Sequence, residues 1–433
     1  MNIQNTTRGT NSLVQQSQVP SSGATAPSGR AQIGPWWQAT LAALPTFIIT
    51  RLIFTLLTYF GGILFSVPNY STEPLAFSDI LYKWYRWDAI QFLDIADPNQ
   101  GYTDLEHAAF FPLYPSLVQL VSRTLHMDPL LAGMLISNLA FFGALVVLYR
   151  LTTIEFDTDT AKRTILYIAI FPTALFFFAA YNESLFLLFL LLSFYCLRRG
   201  HWWMGGLFGG LATLTRSIGL LLAIIFICEF LRQRLPTLRT AWQERNGRHL
   251  VRQMIGLPAI LLIPLGLGIF AFGLERSFHD PLAFIHAQQQ WRTGLTAPWV
   301  AITESFRVLF HNSLYTFTSA HLLIDLGALL LFLALMLLCF FGPVRLARGQ
   351  WTFALFGLLA LLFAVIFPAI PAAGGAAYDP LSSTQRFVLE IFPGFFVLAR
   401  LGRRSWFHHG YLLLALPLLA FLVLQFLTGH WTV

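Results

Sequence analysis

Eleven apolar runs divide this chain, and each must be buried away from water. They fall at residues 37–66, 129–149, 164–180, 184–197, 203–215, 217–231, 254–274, 319–341, 351–371, 386–402 and 411–429. An α-helix needs about 20 mostly apolar residues to cross a bilayer. Only 11% of the 433 residues are charged, 56% are hydrophobic and the mean hydropathy is +0.64. Soluble domains carry roughly 25% charged residues, so the fold class predicted is an all-α polytopic membrane protein. The net charge of +7 does not point to nucleic acid, because the basic residues are scattered through short loops. Cys196, Cys228 and Cys339 lie in or beside apolar runs, which offers neither a disulfide framework nor metal-ligand spacing.

Charge sets the expected topology. Residues 1–33 are polar and read as a disordered cytoplasmic tail, and 34–433 read as one transmembrane domain. With the tail inside, 18 of the 27 basic residues fall in inner loops, including Arg150, Arg198, Arg232 and Arg400. Counting 108–125 as a further span would reverse every later loop, so this stretch, with Pro112 and Pro115, reads as interfacial. The long loop 67–128, the corner at 180–186, the loop 275–318 and the segment 377–387 then share the outer face. Asp88, Asp94, Asp97, Asp104, Glu106, Glu183, Asp280 and Asp379 land there too.

Several outer residues could carry chemistry. "RWDAIQFLDIA" places Asp88 beside Arg86 and Trp87, where a single carboxylate can act as a base. The plainer reading is an interfacial helix anchored by Trp84, Tyr85, Trp87 and Phe92. Gly101 suits a tight turn, Pro112 and Pro115 a helix break, and Glu106 and His107 sit at the mouth of that turn. Tyr181, Asn182, Glu183 and Ser184 form a corner between two runs, where Asn182 or Ser184 could simply cap the next helix. Arg216 and Arg386 stand at ends of apolar runs and Arg292 in "HAQQQWRTG", beside Gln289 and Trp291. Single arginines at such places usually snorkel, whereas several converging would suit a phosphate. Arg51 reads as a snorkeler or a structural partner. No Walker loop or HExxH is present and no DxD-type pair of acids lies around Asp88, so neither a metal nor a cofactor is expected.

In order from residue 84 to about 399, "RWDAIQFLDIADPNQGY", "AAFFPLYP", "FPTALFFFAAYNESLFLL", "RRGHWWMGGLFGGLATLTRSIGLLL", "QQQW" and "QRFVLEIFPGFFVLA" resemble the PIG-V type mannosyltransferases, the GPI mannosyltransferase II family and its prokaryotic relatives. The resemblance implies a GT-C glycosyltransferase fold with an extracytoplasmic site. It also implies a polyprenyl- or dolichyl-phosphate-mannose donor and a glycan or glycolipid acceptor. It makes Asp88 the general base and gives substrate-binding roles to Glu106, Tyr181, Glu183 and Arg386, joined by Arg86, Trp87, His107, Arg216, Gln289 and Trp291. A single base implies inversion. Two alternatives stand beside this: a lipid or solute transporter gated by the outer acids, and a GT-C transferase of another sugar or acceptor. The 25 Arg against 2 Lys point to a GC-rich genome, hence a bacterial cell membrane, or the endoplasmic reticulum membrane in a eukaryote.

Overall fold

The computed structural model describes residues 34–65, 74–371 and 378–430. The expected tail at 1–33 lies outside the described residues, as do the first positions of the long outer loop. Among the described residues every named element is helical, and one isolated bridge joins Arg292 to Ala369. The all-α expectation is met, and each of the eleven apolar runs carries at least one helix.

Six helical stretches are long and apolar enough to cross a membrane: Pro35–Leu64, Pro129–Glu155, Gly247–Phe278, Phe317–Phe340, Arg348–Val365 and Ser405–Leu427. This is a multi-pass membrane protein. The other five runs are built differently from simple spans. Thr158–Ala169 stops ahead of Pro172, Glu183–Arg198 has 16 residues and Trp202–Thr215 has 14. Leu221–Gln243 is long but carries Glu229, Arg232 and Arg234. The last run is divided into Thr384–Phe387, a single turn at Val388–Glu390, and Phe392–Leu401. Broken helices have unpaired backbone groups that lipid cannot satisfy, so these pieces must be enclosed by protein. Glu183–Arg198 and Phe392–Leu401 are: Leu187, Leu190, Leu191, Phe194, Phe392, Phe395 and Phe396 are all fully buried.

Small residues permit that enclosure. Helix association in lipid depends on close packing more than on the hydrophobic effect. The "GGLFGG" stripe of Trp202–Thr215 lies directly on the backbone of the stretch leading into Leu262–Phe278. A Cβ on Gly206 would sit 2.2 Å from the Ala259 carbonyl oxygen, and one on Gly210 2.4 Å from that of Leu262.

One end of this core is closed by charge. Arg198, the last residue of Glu183–Arg198, donates to both Glu155 carboxylate oxygens at 2.8 and 2.7 Å and to Glu229 at 3.1 Å. Glu229 also accepts from Arg232, Gln233 and the Thr352 hydroxyl. Gln350 donates to the Glu155 carboxylate and to its backbone carbonyl. Every buried charge here has a partner, so the cluster reads as a structural clamp.

Gly206→Ala is expected to destabilise the protein by about 1–3 kcal/mol through overpacking. Thermal unfolding in detergent reads this directly, and an unchanged melting temperature would contradict the close approach.

Candidate active site

Asp88 is presented by an unusual piece of backbone. Trp87, immediately before it, has φ 47 and ψ −119, a conformation that costs a bulky residue of order 1–3 kcal/mol. Asp88 then opens the helix Asp88–Ala96. The surroundings hold this strained start in place. Trp84 and Phe92 are fully buried, which corrects their expected role as interfacial anchors. Trp84 packs on Phe178 and Phe426 and donates its indole N–H to Thr58, while Phe92 packs on Phe110 and Tyr114. Gly101 does take a positive φ of 58. Pro112 and Pro115 start the helix Leu113–Leu125 rather than breaking one, because proline's missing N–H costs nothing in a first turn.

A helix break supplies the opposing wall. Between Ala169 and Glu183 the chain makes only a short turn at Ala174–Phe177, which leaves carbonyls to be satisfied from outside. Arg51, deep in the first helix, donates to Asn138 at 2.8 Å and to the Phe177 carbonyl at 3.1 Å. Asn138 donates to the Phe178 carbonyl, and Ser137 to that of Tyr181. Arg51 is thus a structural anchor, not a snorkeler. Asn182 makes no side-chain cap. Its side chain instead donates to the Thr215 carbonyl at 2.9 Å and accepts from Arg216 at 3.2 Å.

The two walls meet through a chain of alternating charges. Arg386 donates from Nη1 to Asp88 Oδ2 at 2.5 Å and from Nε to Glu183 Oε1. Arg216 donates from Nη1 to the same Glu183 oxygen at 2.6 Å. Its Nε lies 2.9 Å from Glu390 Oε1, a charge contact without hydrogen-bond alignment. The Arg386 guanidinium lies over Tyr181, 4.9 Å from the ring centroid, and the Tyr181 hydroxyl donates to the Arg86 carbonyl at 3.1 Å. Three carboxylates therefore face two guanidiniums. Their exposure separates them: the side chains are 30% exposed for Asp88, 0% for Glu183 and 2% for Glu390. Of the three, Asp88 is the one a second molecule can reach.

The structure brings Asp88, Tyr181, Glu183, Arg216 and Arg386 together, with Arg86 and Trp87 adjoining through their backbone. The Arg86 guanidinium lies beside Gly429. The other expected residues stand outside this contact set. Glu106 is exposed and forms no ion pair among the described residues. His107 is buried and bonds the Gly101 carbonyl at 3.0 Å, a structural use. Gln289 is exposed, and Trp291 packs edge-on against Phe110. The sequence reading missed Glu390, which hides in the apolar run "FVLEIF", and the pairing role of Asn182. An acid inside an apolar run is costly without a partner, and that was the available signal for Glu390.

Residues 63–278, about half of the chain, match the family model described as Mannosyltransferase (PIG-V). The chain belongs to the PIG-V mannosyltransferase family. Relatives of this PIG-V chain include GPI mannosyltransferase 2 of Cryptococcus neoformans var. neoformans serotype D. That protein is 30% identical over 184 residues, covering 40% of this chain and 43% of the relative. GPI mannosyltransferase 2 of Schizosaccharomyces pombe is 27% identical over 245 residues, covering 52% and 51%. The chain thus spans about half the length of the curated relatives it matches. Among solved structures it is similar to ArnT from Cupriavidus metallidurans bound to undecaprenyl phosphate, with a TM-score of 0.47 and 12% identity over 84% of this chain and 62% of that one. The oligosaccharyltransferase AglB from Archaeoglobus fulgidus, in complex with an inhibitory peptide and a dolichol-phosphate, gives a TM-score of 0.43 and 13% identity over 90% and 56%.

Removing Glu183 would leave two guanidiniums without their common partner. Glu183→Ala is expected to cost about 3–5 kcal/mol in thermal unfolding. Asp88→Asn, at the exposed rim, is expected to cost no more than about 1 kcal/mol. Equal losses from the two variants would contradict a buried hub with an open rim.

Proposed function

We propose that this chain is an integral-membrane mannosyltransferase of the GT-C kind. In this reading it moves mannose from polyprenyl- or dolichyl-phosphate-mannose to a hydroxyl of a glycan or glycolipid acceptor, on the extracytoplasmic side of a bacterial cell membrane. Family membership supports the sugar. One observation carries the mechanism: a single partly exposed carboxylate, Asp88, is held by an arginine that is itself anchored on a fully buried acid.

The step balances in atoms and charge. Asp88 takes the proton of the acceptor hydroxyl as that oxygen bonds to the anomeric carbon. The bond from that carbon to the phosphate oxygen breaks, and its electron pair leaves with the lipid phosphate. A negative charge thereby disappears from Asp88 and appears on the phosphate. Arg386, already bonded to Asp88, can follow that charge with its remaining N–H groups, as a preorganised donor in a water-poor site. Glu183 and Tyr181 keep the guanidinium in place meanwhile. With Glu183 and Glu390 buried, no second carboxylate of this cluster is open to attack the sugar, so in this reading the reaction inverts the anomeric centre. The isoprenoid tail lies between helices in lipid, with the sugar at the polar rim.

Asp88→Asn is expected to reduce mannosyl transfer from a polyprenyl-phosphate-mannose donor in membranes by about 100- to 10,000-fold. The variant should insert and melt like the parent protein. Transfer within a few fold of the parent would remove Asp88 as the base. An absence of transfer by the parent protein from any lipid-linked sugar would remove the enzyme reading itself.

A further inference from the structure

Arg386 sits in a helix of four residues, Thr384–Phe387. So short a helix cannot fix its own orientation, so the direction of Arg386 is imposed from outside. Three side chains remote in sequence close on the peptides just ahead of it. Asp325 Oδ1, from the middle of the helix Phe317–Phe340, accepts the Gln385 N–H at 2.6 Å. Thr173, beside the helix break, donates its hydroxyl to the Gln385 carbonyl at 2.8 Å. Arg292 donates to the Ser382 carbonyl at 2.8 Å and to that of Phe367 at 3.1 Å. Ser383 between them takes φ 72, in the left-handed region that a serine adopts only under constraint.

Asp325 is 1% exposed in a strongly apolar helix and forms no ion pair among the described residues. Asp379 is a neighbouring acid. Asp379 is itself bonded to the Leu381 N–H at 2.9 Å. Burial pushes the Asp379 carboxyl up from the usual carboxylate range. A buried acid in a spanning helix marks function when it faces a polar partner, and the partner here is the peptide next to Arg386.

We propose that Asp325 is a positioning residue that fixes the Gln385 peptide and so aims Arg386 at Asp88 and Glu183. Asp325 touches neither the sugar nor the phosphate; it acts through Arg386. The consequence for turnover rests on the mannosyl-transfer reading, while the clamp itself does not.

Two substitutions separate the roles of the side chain. In Asp325→Asn the amide oxygen still accepts from the Gln385 N–H. Asp325→Ala removes this bond. Hydrogen–deuterium exchange of the peptide covering 382–388 is expected to quicken about tenfold or more in Asp325→Ala and to stay within about threefold of the parent in Asp325→Asn. In the transfer assay, kcat should fall about tenfold or more in Asp325→Ala with the donor KM within about threefold, and should be largely kept in Asp325→Asn. Should Asp325→Ala fail to assemble, Thr173→Val tests the carbonyl side of the clamp, with Thr173→Ser as the conservative rescue. Parent-like exchange in Asp325→Ala, or equally fast exchange in Asp325→Asn, would overturn the clamp. Fast exchange with unchanged kcat would overturn the positioning role. If the parent protein transfers no mannose, the functional reading fails and the exchange result still judges the clamp.

Discussion

Arg386 holds Asp88 with one nitrogen and Glu183 with another, and this double grip governs much of the surrounding structure. An ionised side chain within a membrane bundle is costly unless it is paired. The grip joins four separate parts of the chain at one end of the bundle: the segment that carries Asp88, the start of the helix Glu183–Arg198, the end of Trp202–Thr215 through Arg216 on Glu183, and the broken run that holds Arg386. Each must stop or bend where its charge meets the others. That is a physical reason for the short and interrupted helices of this region, where uninterrupted spans would carry the charges past one another.

The two ends of the helix Glu183–Arg198 show what a closed and an open charge cluster look like. At Arg198 the guanidinium, two glutamates, a second arginine and two amides satisfy each other. At Glu183 three carboxylates share two guanidiniums, one carboxylate reaches the surface, and Glu390 makes a charge contact without hydrogen-bond alignment. The first arrangement has little left to offer a substrate. The second leaves one carboxylate open at its rim, as the proposed transfer of a sugar from a lipid phosphate requires.

Much of this was readable in the residues. Tyr181, Glu183, Arg216 and Arg386 are polar groups at the ends of apolar runs, Asp88 lies in the long loop 67–128, and the distribution of basic residues assigned all of them to one face. Their pairing was less legible, because each arginine alone looks like a snorkeling side chain. Asn182 read as a helix cap since caps and ion-pair partners use the same residue types. Trp84 and Phe92 resembled an interfacial belt, yet the strained turn at Trp87 needs a packed floor, and they supply it together with Phe426. Glu106 and Gln289 entered through motifs, and motif order does not fix contact. Asp325 and Glu390 were hidden by their surroundings, although an acid within an apolar helix always requires a partner.

In the proposed reaction Asp88 and Arg386 work as one unit. A double-mutant cycle on mannosyl transfer tests this most directly, using Asp88→Asn, Arg386→Gln and the double variant. Groups that act together give strongly non-additive losses. The double variant is expected to be no more than a few fold slower than the worse single variant. A loss equal to the product of the two single losses would mean that the residues act independently, and would contradict this expectation.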